Sequence, residues 1–154
     1  MEALGRLYNC VSLLGWLSVQ TLTTSILLGD KDAMKLDSSE HFALPIQICQ
    51  MVQALQVLDI LLILLKISSG NILGSLAHIL GRLLVAEIYM STDIAPVPIA
   101  NVLIAWSLAD TNRYLYYIVK NPLTTWLRYN AFLILYPIGI YGEMTVINDY
   151  LKKT

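Results

Sequence analysis

Five long apolar stretches separated by short polar ones set the pattern of this chain. The first runs from Leu7 to Leu28 without a charged residue, and the second from Leu44 to Lys66. A third covers Ile72 to about Met90, a fourth Ile99 to Val119, and a fifth begins near Thr124 and continues towards Tyr150. Each is close to the about 20 residues that an α-helix needs to cross the hydrocarbon of a bilayer. The interruptions are those of helix ends. Gly29 to His41 holds the densest charge, and Ser68-Ser69-Gly70-Asn71 makes a turn. Ser91-Thr92-Asp93 leads to Pro96 and Pro98, which break helices, and Lys120-Asn121-Pro122 closes the fourth run. Only helices or closed barrels satisfy the backbone in lipid, and unbroken apolar runs of this length exclude a barrel. The pattern predicts an all-α, polytopic membrane bundle of about five transmembrane helices, with residues 1–154 as a single domain.

The first run also exceeds the roughly 7–15 residues of a signal-peptide core, and no small-residue cleavage site follows it. It reads as a retained helix. Orientation is not fixed by charge. Arg6, Lys66, Lys120 and Arg128 fall on one side and Lys31, Lys35, Lys152 and Lys153 on the other, so the positive-inside rule has no imbalance to act on.

Composition agrees with lipid exposure. Of 154 residues 56% are hydrophobic and 14% charged, where a soluble domain carries roughly 25% charged. Mean hydropathy is +0.62. A domain this small cannot bury so much apolar surface in its own core. The formal net charge is −1 with no Lys/Arg block, which excludes a nucleic-acid binder. Cys10 and Cys49 lie in apolar stretches and give neither a zinc set nor a disulfide framework. Neither has an arginine six residues on, so a cysteine-phosphatase loop is absent. The two histidines, His41 and His78, fall in different segments, and no metal site is expected.

Ionisable residues inside the apolar runs carry the functional signal. They are Asp59 in the second run, His78, Arg82 and Glu87 in the third, Asp110 and Arg113 in the fourth, and Arg128 and Glu143 in the fifth. A charge at the centre of a spanning helix costs about 2.5–3.5 kcal/mol on insertion scales, so such residues are expected to face the bundle interior with partners. They form either a polar cavity or a set of structural ion pairs. Asp110 and Arg113, three apart, share a face and can pair, as can His78 and Arg82, four apart. Arg82 and Glu87 point in different directions, so each is expected to meet another helix.

In the fifth run Tyr129, Tyr136 and Glu143 recur every seven residues. They make one stripe, with Tyr136 and Glu143 about 10.5 Å apart along the axis. Pro137 and Gly139 predict a kink beside Tyr136. A tyrosine stripe equally fits packing or an interfacial belt.

Several segments have a familiar wording. Leu127 to Glu143, LRYNAFLILYPIGIYGE, closely resembles the signature of the 3-hydroxyacyl-CoA dehydratases of very-long-chain fatty acid elongation, once called protein tyrosine phosphatase-like proteins. Ala105 to Tyr117, AWSLADTNRYLYY, is similar to that family's Trp-Ser…Glu…Arg-Tyr…Tyr helix, and VQALQVLDILLILL and HILGRLLV to its Val-Gln…Leu-Glu and Ser-Arg-Leu segments. YNCVSLLGW, Tyr8 to Trp16, matches the first helix in style. The resemblance runs in order over nearly the whole chain. It implies an endoplasmic reticulum membrane enzyme that removes water from a (3R)-3-hydroxyacyl-CoA to give the trans-2-enoyl-CoA, without a cofactor. It places the family's catalytic pair on Tyr136 and Glu143, and assigns supporting roles to Arg82, Arg113, Asp110 and Arg128. The partners it implies are the long-chain acyl-CoA, membrane lipid, and elongase and reductase subunits. There are departures: Asp59 and Asp110 stand for glutamates, and His78 and Gly81 for a Gln and a Ser. The family has six membrane helices against five apolar runs here, so the sixth is expected to be missing unless a second copy of the chain, in a homo-oligomer, supplies it.

The reaction so implied needs a base for the proton alpha to the thioester, a donor for the enolate oxygen, and an acid for the departing β-hydroxyl. Glu143 as the proton-transferring group and Tyr136 as the donor fit these roles, and the reverse division is also open. Basic residues at the membrane surface would meet the CoA phosphates. Lys66, Lys120 and Arg128 are placed for it, although snorkelling explains the two lysines equally well. Two other readings remain: a non-catalytic membrane subunit of the same ancestry that binds elongase components, and a small transporter subunit using Asp/Arg relays.

Overall fold

A computed structural model describes residues 2–29, 42–65, 72–91 and 96–153. The polar segment after Gly29, the Ser68–Asn71 turn, the Thr92–Asp93 stop and Lys66 lie outside the described residues. The described residues form six helices in order: α1 (Glu2–Gly29), α2 (Ala43–Leu55), α3 (Val57–Leu64), α4 (Ile72–Ser91), α5 (Pro96–Ile118) and α6 (Pro122–Lys153). They occupy the five apolar runs, because the second run is divided. No strand occurs among the described residues.

The division falls at Gln56, where neither Gly nor Pro marks it. Its backbone N–H is shared between the carbonyls of Val52 (3.2 Å) and Gln53 (3.0 Å), and the Asp59 N–H bonds the Gln56 carbonyl at 3.0 Å. Bonds of three-residue span tighten the turn locally. The Gln56 side chain is itself buried, so the tightening sits against the bundle and not in solvent.

Among the described residues three helical segments are long and apolar enough to cross a membrane: Ala3–Gly29, Ala43–Leu64 and Pro122–Lys153. Helices α4 and α5 have 20 and 23 residues, about 30 and 35 Å at 1.5 Å per residue. Their length suffices, but their charged residues lower their apolarity. The outer surface agrees with a lipid setting, since Leu4, Leu14, Leu73, Leu133, Ile134 and Met144 all stand exposed. In water so much apolar surface would drive association.

Helix α5 is the hub. Ile99, Val102, Leu103, Trp106, Asp110 and Tyr114 are all buried along it, and it packs against both α1 and α6. Small residues set the closest approach. A Cβ on Gly142 of α6 would lie 2.6 Å from Val102 Cγ2 and 2.9 Å from the Pro98 carbonyl oxygen. Gly15 of α1 meets Val52 of α2 as tightly, with its Cβ position 2.5 Å from Val52 Cγ2. Close backbone approach through glycine is how helices gain contact in lipid, where apolar burial alone gives no preference for protein over lipid.

The α5–α6 turn is fixed by a reciprocal cap. Thr124 N–H donates to Asn121 Oδ1 (2.8 Å) while Asn121 N–H donates to Thr124 Oγ1 (3.1 Å). Pro122 follows the cap at the first helical position, where its missing N–H costs nothing. Helix α6 then runs through Pro137 without interruption. Pro137 leaves the Leu133 carbonyl without an N–H four residues on.

Candidate active site

Helices α4, α5 and α6 line a half-open cavity of about 460 Å³. Each helix supplies polar side chains because each carries them at helical spacing. Trp106, Asp110 and Arg113 lie at i, i+4 and i+7 on α5, His78 and Arg82 one turn apart on α4, and Arg128, Tyr136 and Glu143 along α6. Tyr136, Glu143, Arg82, Arg113, Asp110 and Arg128 therefore reach one space.

Most of the charge there is internally matched. Arg82 of α4 pairs with Asp110 of α5, both almost fully buried. Arg113 lies 3.2 Å from the other Asp110 oxygen and 3.9 Å from Asp59 of α3. Two arginines and two aspartates thus form one neutral network across three helices. Neutrality is what a bilayer demands of buried charge. Arg82 is further held between the Trp16 and Trp106 rings, with its Cζ 5.5 and 5.0 Å from their centroids, a desolvated cation–π arrangement. Arg113 also donates to the Tyr114 hydroxyl (2.8 Å), which contacts Tyr8 of α1 at 3.2 Å. The shared face expected for Asp110 and Arg113 is observed, and the division at Gln56 brings Asp59 into the same network.

Glu143 differs. It lines the cavity, yet among the described residues no cation stands within ion-pair distance of it. Its Oε1 instead accepts a hydrogen bond from the Trp106 indole Nε1 at 2.7 Å. A carboxylate held by a neutral donor keeps its remaining lone pairs for a ligand. Tyr136 stacks its ring on Phe132, centroids 4.7 Å apart, and its hydroxyl has no partner among the described residues. One available acceptor and one available donor therefore face the same space.

Two expectations are modified. Tyr129, the first member of the heptad stripe, is 63% exposed and does not line the cavity; Arg128 closes that end. Glu87 is exposed and not turned inward. It sits within about one turn of the end of α4. Sequence reasoning assigned no role to Trp106, although its place four residues before Asp110 puts both on one face. Among the described residues no three His, Cys, Asp or Glu side chains converge on a metal site.

Fold and cavity together define a polytopic helical membrane protein with a polar cavity lined by three of its helices. Residues 53–154 match the family described as protein tyrosine phosphatase-like protein, PTPLA, and the chain belongs to this family. It is 30% identical over 151 residues to the probable very-long-chain (3R)-3-hydroxyacyl-CoA dehydratase of Schizosaccharomyces pombe, covering 92% of this chain and 70% of that protein. The hpo-8 dehydratase of Caenorhabditis elegans is 26% identical, over 95% of this chain and 69% of its own length. For PASTICCINO 2 of Arabidopsis thaliana, another very-long-chain (3R)-3-hydroxyacyl-CoA dehydratase, the identity is 28%, over 92% of this chain and 65% of the relative. The chain thus spans about two thirds of the length of these relatives. No solved structure matches.

Proposed function

We propose that this chain is a very-long-chain (3R)-3-hydroxyacyl-CoA dehydratase, a hydro-lyase of fatty acid elongation, with Tyr136 and Glu143 as its catalytic residues. The observation that carries the reading is the state of Glu143. Asp59 and Asp110 are each taken up by arginines, whereas Glu143 has only the neutral Trp106 donor. Glu143 removes the proton alpha to the thioester. Tyr136 donates a hydrogen bond to the thioester oxygen as negative charge builds on it. The Cα=Cβ bond then forms as the Cβ–O bond breaks, and Glu143 returns its proton to the departing hydroxyl, which leaves as water. One carboxyl group thus serves both proton transfers, and no redox step is involved.

Arg82 and Asp110 support this site by fixing α4 against α5, and Arg113 by joining Asp110 to Asp59 of α3. The names of the relatives place the reaction in very-long-chain metabolism. An endoplasmic reticulum location, contacts with elongase and reductase subunits, and pairing with a second copy of the chain extend the same reading.

The test is turnover of a long-chain (3R)-3-hydroxyacyl-CoA to its enoyl product by protein reconstituted in lipid. Glu143→Gln and Tyr136→Phe are each expected to lower kcat by about 10²-fold or more, the scale of losing a general base or an oxyanion donor, with helical content unchanged. Absence of turnover by the wild-type protein, alone and with elongase partners, would overturn the reading.

A further inference from the structure

At the α5–α6 end of the cavity two cations share one aromatic ring. Arg128 Cζ lies 4.6 Å from the centroid of Tyr116 and 4.8 Å from that of Tyr117. Lys120 Nζ lies 5.7 Å from the same Tyr116 ring. No carboxylate is within ion-pair distance of either cation among the described residues. Arg128 lines the cavity, and its Nη1 is buried without a hydrogen-bond partner. Elsewhere around the cavity Arg82 and Arg113 are both matched by aspartates. Two unmatched like charges held against one ring repel each other until an anion sits between them.

We infer that Arg128 and Lys120, on the Tyr116–Tyr117 platform, form a binding site for a phosphate group, namely the diphosphate of the substrate's CoA carrier. The planar guanidinium can stack on tyrosine and still present its edge N–H groups to phosphate oxygens, as arginine does in phosphate recognition. The turn that carries Lys120 is held by the Asn121–Thr124 cap, and Arg128 follows it within the first turns of α6, so both cations stand on ordered backbone.

Reach agrees with the assignment, which rests on the proposed function. Arg128 is eight residues from Tyr136 and fifteen from Glu143, about 12 and 22 Å along the axis of α6. A thioester between those two residues lies about 17 Å from the level of Arg128. The arm joining the thioester sulfur to the first phosphorus has about thirteen bonds, roughly 15 Å when extended at about 3.5 Å per three bonds. The guanidinium side chain covers the difference. A lipid phosphate is the alternative source of the same chemistry, but the buried Nη1 and the cavity-lining position of Arg128 favour a ligand that enters the cavity.

The experiment is equilibrium binding of CoA, without an acyl chain, to the full chain in an uncharged detergent free of phospholipid. Wild type and Glu143→Gln are expected to bind alike, with affinity falling as salt is raised. Arg128→Ala is expected to weaken binding about tenfold or more, Lys120→Ala less, and Arg128→Lys to restore part of the loss. Circular dichroism identifies any variant that fails to fold, and Arg128→Lys then carries the comparison. Binding by folded Arg128→Ala within twofold of wild type overturns the inference. So does a protein that fails to bind CoA but binds phosphatidylglycerol vesicles through Arg128. CoA held through Arg128 by a protein without dehydratase turnover supports the phosphate site while removing the proposed reaction, so the two readings fail separately.

Discussion

Trp106 holds Glu143 through a single 2.7 Å hydrogen bond, while its ring face lies 5.0 Å from the Arg82 guanidinium. The indole therefore joins the neutral charge network to the carboxylate without passing charge to it. Replacing Trp106 by Phe keeps a ring against Arg82 and removes only the N–H. A hydrogen bond to a charged group is worth about 1.5–3 kcal/mol, so kcat for the dehydration should fall about tenfold or more with KM little changed. Steady-state kinetics decide this, and a kcat within twofold of wild type would show that Glu143 orients itself. The role was not legible in the sequence. Glu143 and Tyr136 stood out as polar groups in an apolar run, but an apolar tryptophan among apolar residues carries no such contrast. Its helical spacing to Asp110 was visible, whereas its partner thirty-seven residues away was not.

Among the elements, the α5–α6 pair has its closest contact at Gly142, where a methyl group would meet Val102 Cγ2 at 2.6 Å and the Pro98 carbonyl oxygen at 2.9 Å. The carbonyl is backbone and cannot turn aside. Gly142→Ala should cost about 1–3 kcal/mol through overpacking and shift Glu143, the next residue, away from Trp106. Thermal unfolding in detergent measures the first effect and turnover the second. Unchanged stability would mean that α6 slides freely on α5. Gly81, beside Arg82, has open space around its Cβ position and should accept alanine without loss of stability. Element boundaries were largely legible, since apolar runs and their Pro, Gly and Asn interruptions follow from local chemistry. The break at Gln56 was not, because it depends on a three-residue hydrogen bond within a sequence that would support a continuous helix.

For the whole molecule, three rods are apolar enough to cross a membrane alone, and two more, α4 and α5, carry the charges of the site. The expectation of charged residues facing inward was legible from the cost of the alternative, and so was the Asp110–Arg113 pairing. That Arg82 would meet another helix was expected, but not that its partner is Asp110, because no spacing rule connects residues twenty-eight apart. That separation has a consequence for biosynthesis. When α4 leaves the ribosome, Arg82 lacks the Asp110 that pairs with it in the folded bundle, which follows only after twenty-eight more residues, about 1–6 s later at about 5–20 residues per second. During that interval α4 bears an unmatched charge that lipid disfavours. Stable integration of α4 is therefore expected to wait for α5, the two helices entering the bilayer together. Glycosylation mapping of arrested nascent chains would show this: α4 should integrate when arrest leaves Arg113 outside the ribosome and remain unintegrated when Asp110 is still inside it. Asp110→Leu should abolish the joint entry, and Asp110→Glu should retain it.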